Sequence, residues 1–422
     1  MALYKHIADK IETDINRGVF KPGDKIPSIR HVAAEFGCSK LTVQKAFERL
    51  KNRGWIENIV GSGSYVRFPE RINRTGDIFD FKTAYLSESF FPYLQAQKIF
   101  SNLFDEQKAG VFSTPPVEGD PELIATLGEF YRVPTRRMLI ISGAQQGLDL
   151  TAKVFSTGIS ENILFEDPTY PGAISLFKAK HFVPLQDDGP DLAALDDLLP
   201  AQIRLFYTMP TVHNPTGISY SLEKKERIAR RARQHPFYII EDDYLSEYHE
   251  SPVPRFVDLF PEKTIYIKSL SQTTVSGIRL GFMIVPADLY EKFLYTKYTS
   301  DIASAGLVQK FVREFIQTGA FADYITKTDQ KIRQRREQVL ELVNTTPGLT
   351  LQLPQHGCSL WVCAQDTALP ENQPWNTGRE FSFSPEYRNC FRLSFMNLDD
   401  AIFGRALEYL QGIFSRMGSE TG

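Results

Sequence analysis

From Met138 onward the chain repeats one pattern. Six short apolar runs, MLIIS, NILFED, IRLFYT, FYIIED, TIYIKS and RLGFMIV, fall between Met138 and Val285, and helical stretches such as GLDLTAKVF and SLEKKERIARRARQ separate most of them. Runs this short and this rich in β-branched and aromatic residues read as strands, and strands alternating with helices need crossovers that make a sheet mainly parallel. The expected fold is α/β, with a mainly parallel central sheet and helices on both faces over residues 78–418, and a smaller C-terminal α+β subdomain from about residue 300 to 418. In open α/β sheets, ligands sit beyond the carboxyl ends of the strands. The residues that close or follow each run are therefore the functional candidates.

After MLIIS, Gly143-Ala144-Gln145-Gln146 opens a helix, where free backbone N–H groups and the helix dipole favour a phosphate. After NILFED comes PTYPG, whose Tyr170 can stack on a flat ring. After IRLFYT comes MPTVHNPTG; Asn214 is a turn amide able to donate to a ring oxygen, and His213 beside it reads as structural. Asp242 ends the next run, followed by Asp243 and Tyr244. A carboxylate buried at a strand end needs a cationic partner, and a protonated pyridine nitrogen would serve. The segment KSLSQTTVSGIRLG then supplies Ser269, Ser271 and Arg279, two hydroxyls and a guanidinium able to hold a phosphate dianion together with the Gly143 turn. Near the C-terminus CFRLSF places Arg392 on an expected strand, a natural fork for a carboxylate.

The first 68 residues read differently. Leu3, Ile7, Ile11 and Ile15 repeat at helical spacing, with Gly18 a plausible stop. Pro27-Ser28 opens a second helix that Gly37 ends, and Ser39 caps a third, KLTVQKAFERLKNRG, whose buried stripe is Val43, Ala46, Phe47 and Leu50, with Gly54 closing it. WIENIVGSGSYVRF follows as a hairpin, so the block is a helix-turn-helix with a wing. Residues 1–75 hold 14 Lys+Arg against 8 Asp+Glu, a net of +6 on a chain whose total is −3, so the remainder carries −9. A basic block on an acidic body suggests double-stranded DNA as a partner. The third helix would enter the major groove with Ser39, Lys40, Thr42, Gln44 and Lys45; Arg30 would clamp a phosphate, and Gly61 and Gly63 would let the wing approach the backbone. PERINRTGD, residues 69–77, reads as a short linker.

The composition narrows the remaining classes. No run of about 18 apolar residues occurs, so no membrane span is expected. The N-terminus MALYKHIADK is charged at once and lacks a signal-peptide core. Cys38, Cys358, Cys363 and Cys390 are few, scattered and without metal-ligand spacing, which predicts four thiols in a cytoplasmic protein and no metal site.

The first block resembles the GntR-type winged-helix domain over residues 3–67, through LYKHIADKI, GVFKPGDKIPSIRHVAAEFGCSKLTVQKAFERL and GWIENIVGSGSYV. The ordered set SGAQQG, EDPTYPG, HNPTG, EDDY, SLSQTTVSGIRLG and FRLSF resembles fold-type I aminotransferases, pyridoxal phosphate enzymes of the aspartate aminotransferase kind, over most of residues 80–415. Joined, they are similar to MocR-type transcriptional regulators. The resemblance implies that Ala144, Gln145, Ser269, Ser271 and Arg279 hold the phosphate of pyridoxal 5′-phosphate. It implies further that Tyr170 stacks on its ring, that Asn214 and Tyr244 bond its 3-oxygen, that Asp242 pairs with the ring nitrogen, and that Arg392 takes an amino-acid carboxylate. It also implies a homodimer.

The chain departs from the aminotransferase pattern at one decisive position. The Schiff-base lysine would stand at 272, and the residue there is Gln272. An amide can neither condense with an aldehyde nor carry a proton from carbon. Two origins are compatible with it: natural loss of the lysine in a sensor that keeps its fold, or a Lys→Gln substitution. Lys268 stands at a position the family leaves variable, with no expected role at the ring, and Phe112 lies near where many aminotransferases carry a tyrosine toward the partner's phosphate. The expected function is a DNA-binding regulator that senses pyridoxal phosphate, an amino compound or both, without turnover. The ligand would be held non-covalently or as an external aldimine. The competing expectations are a working aminotransferase with a DNA-binding appendage, if lysine is native at 272, and a regulator responsive to another ligand altogether.

Overall fold

The computed structural model describes residues 3–16, 20, 24–52, 55–59, 63–66, 79–156, 162–249, 254–351, 356–365, 369 and 373–419, and these fall into two compact units, Met1–Ile78 and Phe79–Gly422. The expected linker at 69–77, and Gly18, Gly54 and Gly61, lie outside the described residues.

In the first unit the apolar spacing produces three helices, α1 (Leu3–Asn16), α2 (Ile29–Glu35) and α3 (Lys40–Asn52). Each of the last two starts on a serine whose hydroxyl satisfies a free helix N–H. Ser28 Oγ accepts from the His31 amide at 3.3 Å, and Ser39 Oγ from the Thr42 amide at 3.2 Å. Between them Gly37 turns the chain at φ +57°, a left-handed conformation that glycine adopts without penalty. Ile7, Ala8 and Ile11 of α1 pack with Val32, Val43, Ala46, Phe47 and Leu50. Strands β1 (Ile56–Ile59) and β2 (Gly63–Val66) pair antiparallel as the wing, with Ile56 opposite Val66, and those two residues close the same core.

In the second unit the six expected runs form β3 (Met138–Ile141), β4 (Asn162–Asp167), β7 (Leu205–Thr208), β8 (Tyr238–Asp243), β9 (Thr264–Ser269) and β10 (Gly281–Ile284). Two further strands, β5 (Ala179–Gln186) and β6 (Gly189–Pro190), extend one edge, giving the order β3-β10-β9-β8-β7-β4-β5-β6. Strands β5, β4, β7, β8 and β9 are mutually parallel, and β10 runs against both β9 and β3. Strand β5 escapes a sequence reading because AKHFVPLQ contains a proline and is mostly half-buried, as an edge strand can be.

The inner strands β7, β8, β9 and β10 are buried throughout because both faces are covered. Leu205, Tyr207 and Ile240 face one side, where Leu148, Leu150 and Val154 of the helix Ala144–Phe155 cover them. Phe206 and Ile239 face the other, under Ile228, Ala229 and Ala232 of the helix Leu222–Gln234. Each buried Leu, Ile, Val or Phe among them contributes ~1.5–3 kcal/mol. Toward the C-terminus β11 (Leu349–Leu351), β12 (Ser359–Ala364), β13 (Asn376–Thr377) and β14 (Cys390–Ser394) form an antiparallel sheet in the order β11-β12-β14-β13. The helices Ala320–Asn344 and Asp400–Ser419 share its core.

The expectation of four thiols is corrected. Cys363 and Cys390 are joined in a disulfide, while Cys38 and Cys358 are free. The two bonded residues are 27 apart in sequence but register partners across β12 and β14, an adjacency that spacing along the chain does not reveal.

Candidate functional site

Parallel strands aim their carboxyl ends at one edge of the sheet, and β10, running the other way, starts there. One cleft at this edge collects Ala144, Gln145, Tyr170, Asn214, Asp242, Tyr244, Ser269, Ser271, Gln272 and Arg279, together with Tyr85 and Met209. All ten residues singled out for cofactor contact therefore line a single cleft.

Its anion end is built by Gly143 and Arg279. Gly143 takes φ +89° ahead of the helix Ala144–Phe155, and a Cβ there would stand 3.1 Å from Arg279 Nη2. Glycine thus lets the guanidinium close on the helix N-terminus. Arg279 itself sits at φ +44° and donates to Ser271 Oγ at 3.4 Å and to the Ser142 carbonyl at 3.2 Å. Free N–H groups, two serine hydroxyls and an exposed guanidinium converge, an arrangement that favours a multiply charged oxyanion. Gln145 Nε2 donates to the Gly172 carbonyl at 3.2 Å, and its Oε1 lies 3.5 Å from the Tyr170 hydroxyl, which fixes the ring at the mouth of the cleft.

The opposite end is anionic. Asp242 is 3 % exposed; its Oδ2 accepts from the Tyr207 hydroxyl at 2.8 Å, and its Oδ1 is buried without a partner among the described residues. Burial pushes this carboxyl up to about 7, against the opposing pull of the Tyr207 hydrogen bond. The next residue, Asp243, points to the other face, where Lys268 meets it at 3.1 Å and Glu247 at 2.6 Å. Burial alone would push the Lys268 ammonium down, but the two carboxylates outweigh it and hold it above its ordinary value. Lys268 is thus occupied by two carboxylates and does not line the cleft.

Asn214 is presented by a braced turn. His213 beside it is 1 % exposed and directs Nδ1 to Thr216 Oγ1 at 2.8 Å and Nε2 to Glu166 Oε2 at 3.1 Å. Glu166 also accepts from Thr208 Oγ1 at 2.6 Å and from the Tyr220 hydroxyl. Arg392 on β14 donates through Nη1 to Asn214 Oδ1 at 2.8 Å, so the arginine reaches the cleft wall although it does not line the cleft itself. Its Nη2 donates to the Lys82 carbonyl and to Asn376 Oδ1, both at 2.8 Å, and its guanidinium lies 4.9 Å from the centre of the Phe381 ring. Gln272 is half-buried in the cleft lining, and its Oε1 is buried with no partner among the described residues. Phe112 is 67 % exposed and lies outside the cleft.

Tyr85, Met209, Tyr207, Glu166 and Asn376 escaped the sequence reading. A tyrosine inside the apolar run IRLFYT was a usable sign, because a buried hydroxyl needs an acceptor. Tyr85 and Asn376 sit in irregular or two-residue segments that carry no pattern.

In the winged-helix unit Arg30, Ser39, Lys40, Gln44, Lys45 and Gly63 are exposed and Thr42 is half-exposed. All except Arg30 and Gly63 belong to α3 or its cap. Ser39 Oγ and Thr42 Oγ1 lie 2.9 Å apart, so these two hydroxyls are engaged with each other at the cap.

An anion cradle, a buried carboxylate and an aromatic mouth thus lie together at the strand ends of a mainly parallel sheet, the fold-type I aminotransferase architecture. The aminotransferase class I and II pattern matches residues 84–410, and that of the bacterial regulatory proteins of the gntR family matches residues 3–66. The chain belongs to the aminotransferase class I and II family and, with its gntR-family domain in front, is a MocR-type regulator. It is 28 % identical over 359 residues to the HTH-type transcriptional regulator YcxD of Bacillus subtilis (strain 168), covering 82 % of this chain and 81 % of that protein. It is 23 % identical over 434 residues to the probable rhizopine catabolism regulatory protein MocR of Rhizobium meliloti, covering 92 % and 87 %. Among solved structures, LysN, an alpha-aminoadipate aminotransferase of Thermus thermophilus complexed with N-(5′-phosphopyridoxyl)-L-leucine, superposes with a TM-score of 0.72 at 24 % identity, over 80 % of this chain and 92 % of that one. That likeness establishes the fold.

Proposed function

We propose that this regulator binds DNA through its winged helix and senses pyridoxal phosphate in its aminotransferase-like domain without turning substrate over. The observation that carries the proposal is a cleft complete in recognition groups with an amide at 272. Two features fit the group. Gly143 and Arg279 form a cradle that a Cβ would crowd, and Asp242 Oδ1 is a buried oxygen in need of a cation. Gly143, Ala144, Gln145, Ser269, Ser271 and Arg279 would hold the phosphate, Tyr170 would cover the ring, Asn214 and Tyr244 would bond the 3-oxygen, and Asp242 would pair with the ring nitrogen. Pyridoxal phosphate supplies an aldehyde and an electron-withdrawing ring when bound. Gln272 offers the aldehyde no nucleophile and moves no proton.

On the DNA side, Lys40, Gln44 and Lys45 at the start of α3 would meet the major groove, and Arg30 and Gly63 the backbone. Tyr295, Tyr298 and Ile302 are 71 %, 56 % and 63 % exposed along one stripe at the helix Tyr290–Asp301 and its end, which supports a homodimer. A dimer requires an operator of two half-sites.

The test is a titration of the full chain with pyridoxal phosphate followed by tryptophan fluorescence, then borohydride treatment and intact-mass measurement. A saturable response with no added mass is expected, and Gln272→Lys should gain the mass of one pyridoxyl phosphate. Turnover of an amino acid with a keto acid by the unaltered chain would make it an enzyme. The absence of any response would make its ligand something else.

A further inference from the structure

Arg392 is set where a ligand carboxylate would be expected, yet its hydrogens are already committed. A guanidinium takes a carboxylate bidentately in one of two ways, with one hydrogen from each Nη, or with the Nε hydrogen and the Nη2 hydrogen beside it. Both ways use an Nη2 hydrogen. In this chain Nη2 has two acceptors, the Lys82 carbonyl and Asn376 Oδ1, each at 2.8 Å. Nη1 gives one hydrogen to Asn214 Oδ1 at 2.8 Å, and Nε is buried with no partner among the described residues. Neither bidentate fork is free.

Asn376 is not there by accident of rotamer. It lies on β13 directly opposite Arg392 in register, so its side chain is delivered to the guanidinium by strand pairing. Its amide nitrogen donates to Glu380 Oε2 at 2.7 Å, which leaves its oxygen as the group facing Arg392. Glu380 is fixed in turn, because its Oε1 accepts from the Thr377 amide at 2.8 Å. Carboxylate, carboxamide and guanidinium form an ordered relay, and the carboxamide oxygen stands where a ligand carboxylate oxygen would. The Lys82 carbonyl closes the other Nη2 position with backbone, which a ligand displaces less readily than a side chain.

We propose that Asn376 is a specificity-determining residue that fills the carboxylate fork of Arg392 from within the chain, so that the cleft takes a phosphorylated pyridine with no amino acid's carboxylate attached. The inference rests on the pyridoxal phosphate reading of the cleft and narrows it: the class of effector is the vitamin phosphate itself or its amine, not its adduct with an amino acid.

Three stable probes separate the possibilities in calorimetric titrations of the full chain: pyridoxamine phosphate, N-(5′-phosphopyridoxyl)-L-leucine, and the same adduct made with 3-methylbutylamine, which is leucine without its carboxylate. In the unaltered chain the two adducts should bind within roughly 3-fold of each other, because the carboxylate gains no charged hydrogen bond. In Asn376→Ala the leucine adduct should bind at least about 10-fold tighter than the amine adduct, with pyridoxamine phosphate little changed, as one recovered charge-assisted bond predicts. A preference of about 10-fold or more for the leucine adduct in the unaltered chain would overturn the proposal whether or not the variant folds. Equal binding of the two adducts in a folded Asn376→Ala would overturn it too, by showing that Asn376 is not what closes the fork. If none of the three probes binds, it is the pyridoxal phosphate reading that fails, and the inference with it.

Discussion

Replacing Asp242 with Asn should stabilise the ligand-free protein at alkaline pH while weakening its hold on pyridoxal phosphate. The carboxyl ordinarily ionises at 3.8, and burial raises it to about 7. Between those values the folded chain retains a proton that the unfolded chain has released, so stability falls as pH rises through that window and stays low above it. At ~1.4 kcal/mol per pH unit, the loss reaches about 4 kcal/mol near pH 8. Asparagine escapes this loss because it does not ionise. Its oxygen keeps the Tyr207 hydrogen bond, but its amide nitrogen takes the place of the unpartnered Oδ1 and costs ~1–3 kcal/mol. The net gain is about 1–3 kcal/mol near pH 8, shrinking to roughly nothing near pH 5. Glu241, also raised to about 7 by burial, tilts both proteins alike and cancels in the difference. Thermal unfolding of the two ligand-free chains across this pH range reads the effect as a gap of a few degrees that opens upward. Affinity for pyridoxal phosphate near pH 8 should drop about 10-fold or more, since a neutral amide offers the ring nitrogen no charge. Parallel stability curves would refute the reasoning, because they would mean that the carboxylate is not left wanting a cation.

Other perturbations probe other parts of the molecule. Arg279→Ala removes a guanidinium whose own contacts are Ser271 and the Ser142 carbonyl, so it should weaken pyridoxal phosphate binding by roughly 10- to 100-fold in a fluorescence titration. An unchanged melting temperature should accompany that loss. Lys268→Met leaves Asp243 and Glu247 facing each other without their cation and should destabilise the chain by about 3–5 kcal/mol in urea unfolding. Its Gln272→Lys background should still gain the borohydride-fixed mass, because Lys268 points away from the cleft. Lys45→Ala should lower the slope of log affinity against log salt on duplex DNA by about 1, the signature of one lost phosphate contact.

Much of this protein was readable in one dimension because its elements are local. The helix spacing of Ile7 and Ile11, the serine caps at 28 and 39 and the glycine turn at 37 depend on residues within one or two helical turns. The six apolar runs became strands because a strand buried on both faces has no need of polar alternation. The candidate cleft residues follow the runs in order, and parallel strands must present the same end on the same edge. The glutamine at 272 is likewise visible from its place after Ser271.

Tertiary structure decided what depends on neighbours distant in sequence. Strand β5, with its proline and half-exposed flank, is held by pairing with β4 and has little pattern of its own. Cys363 and Cys390 meet only because β12 and β14 are adjacent. Tyr85 enters the cleft from a segment without periodicity, and Glu166 braces His213 from 47 residues away. Most telling is Arg392. The sequence by itself marks an arginine on a strand, free to fork a carboxylate; the fold brings Asn376 against it from the paired strand and Lys82 from 310 residues away. Hydrogen-bond capacity is a property of a side chain, but which of its hydrogens remain free is set by what the fold packs around it.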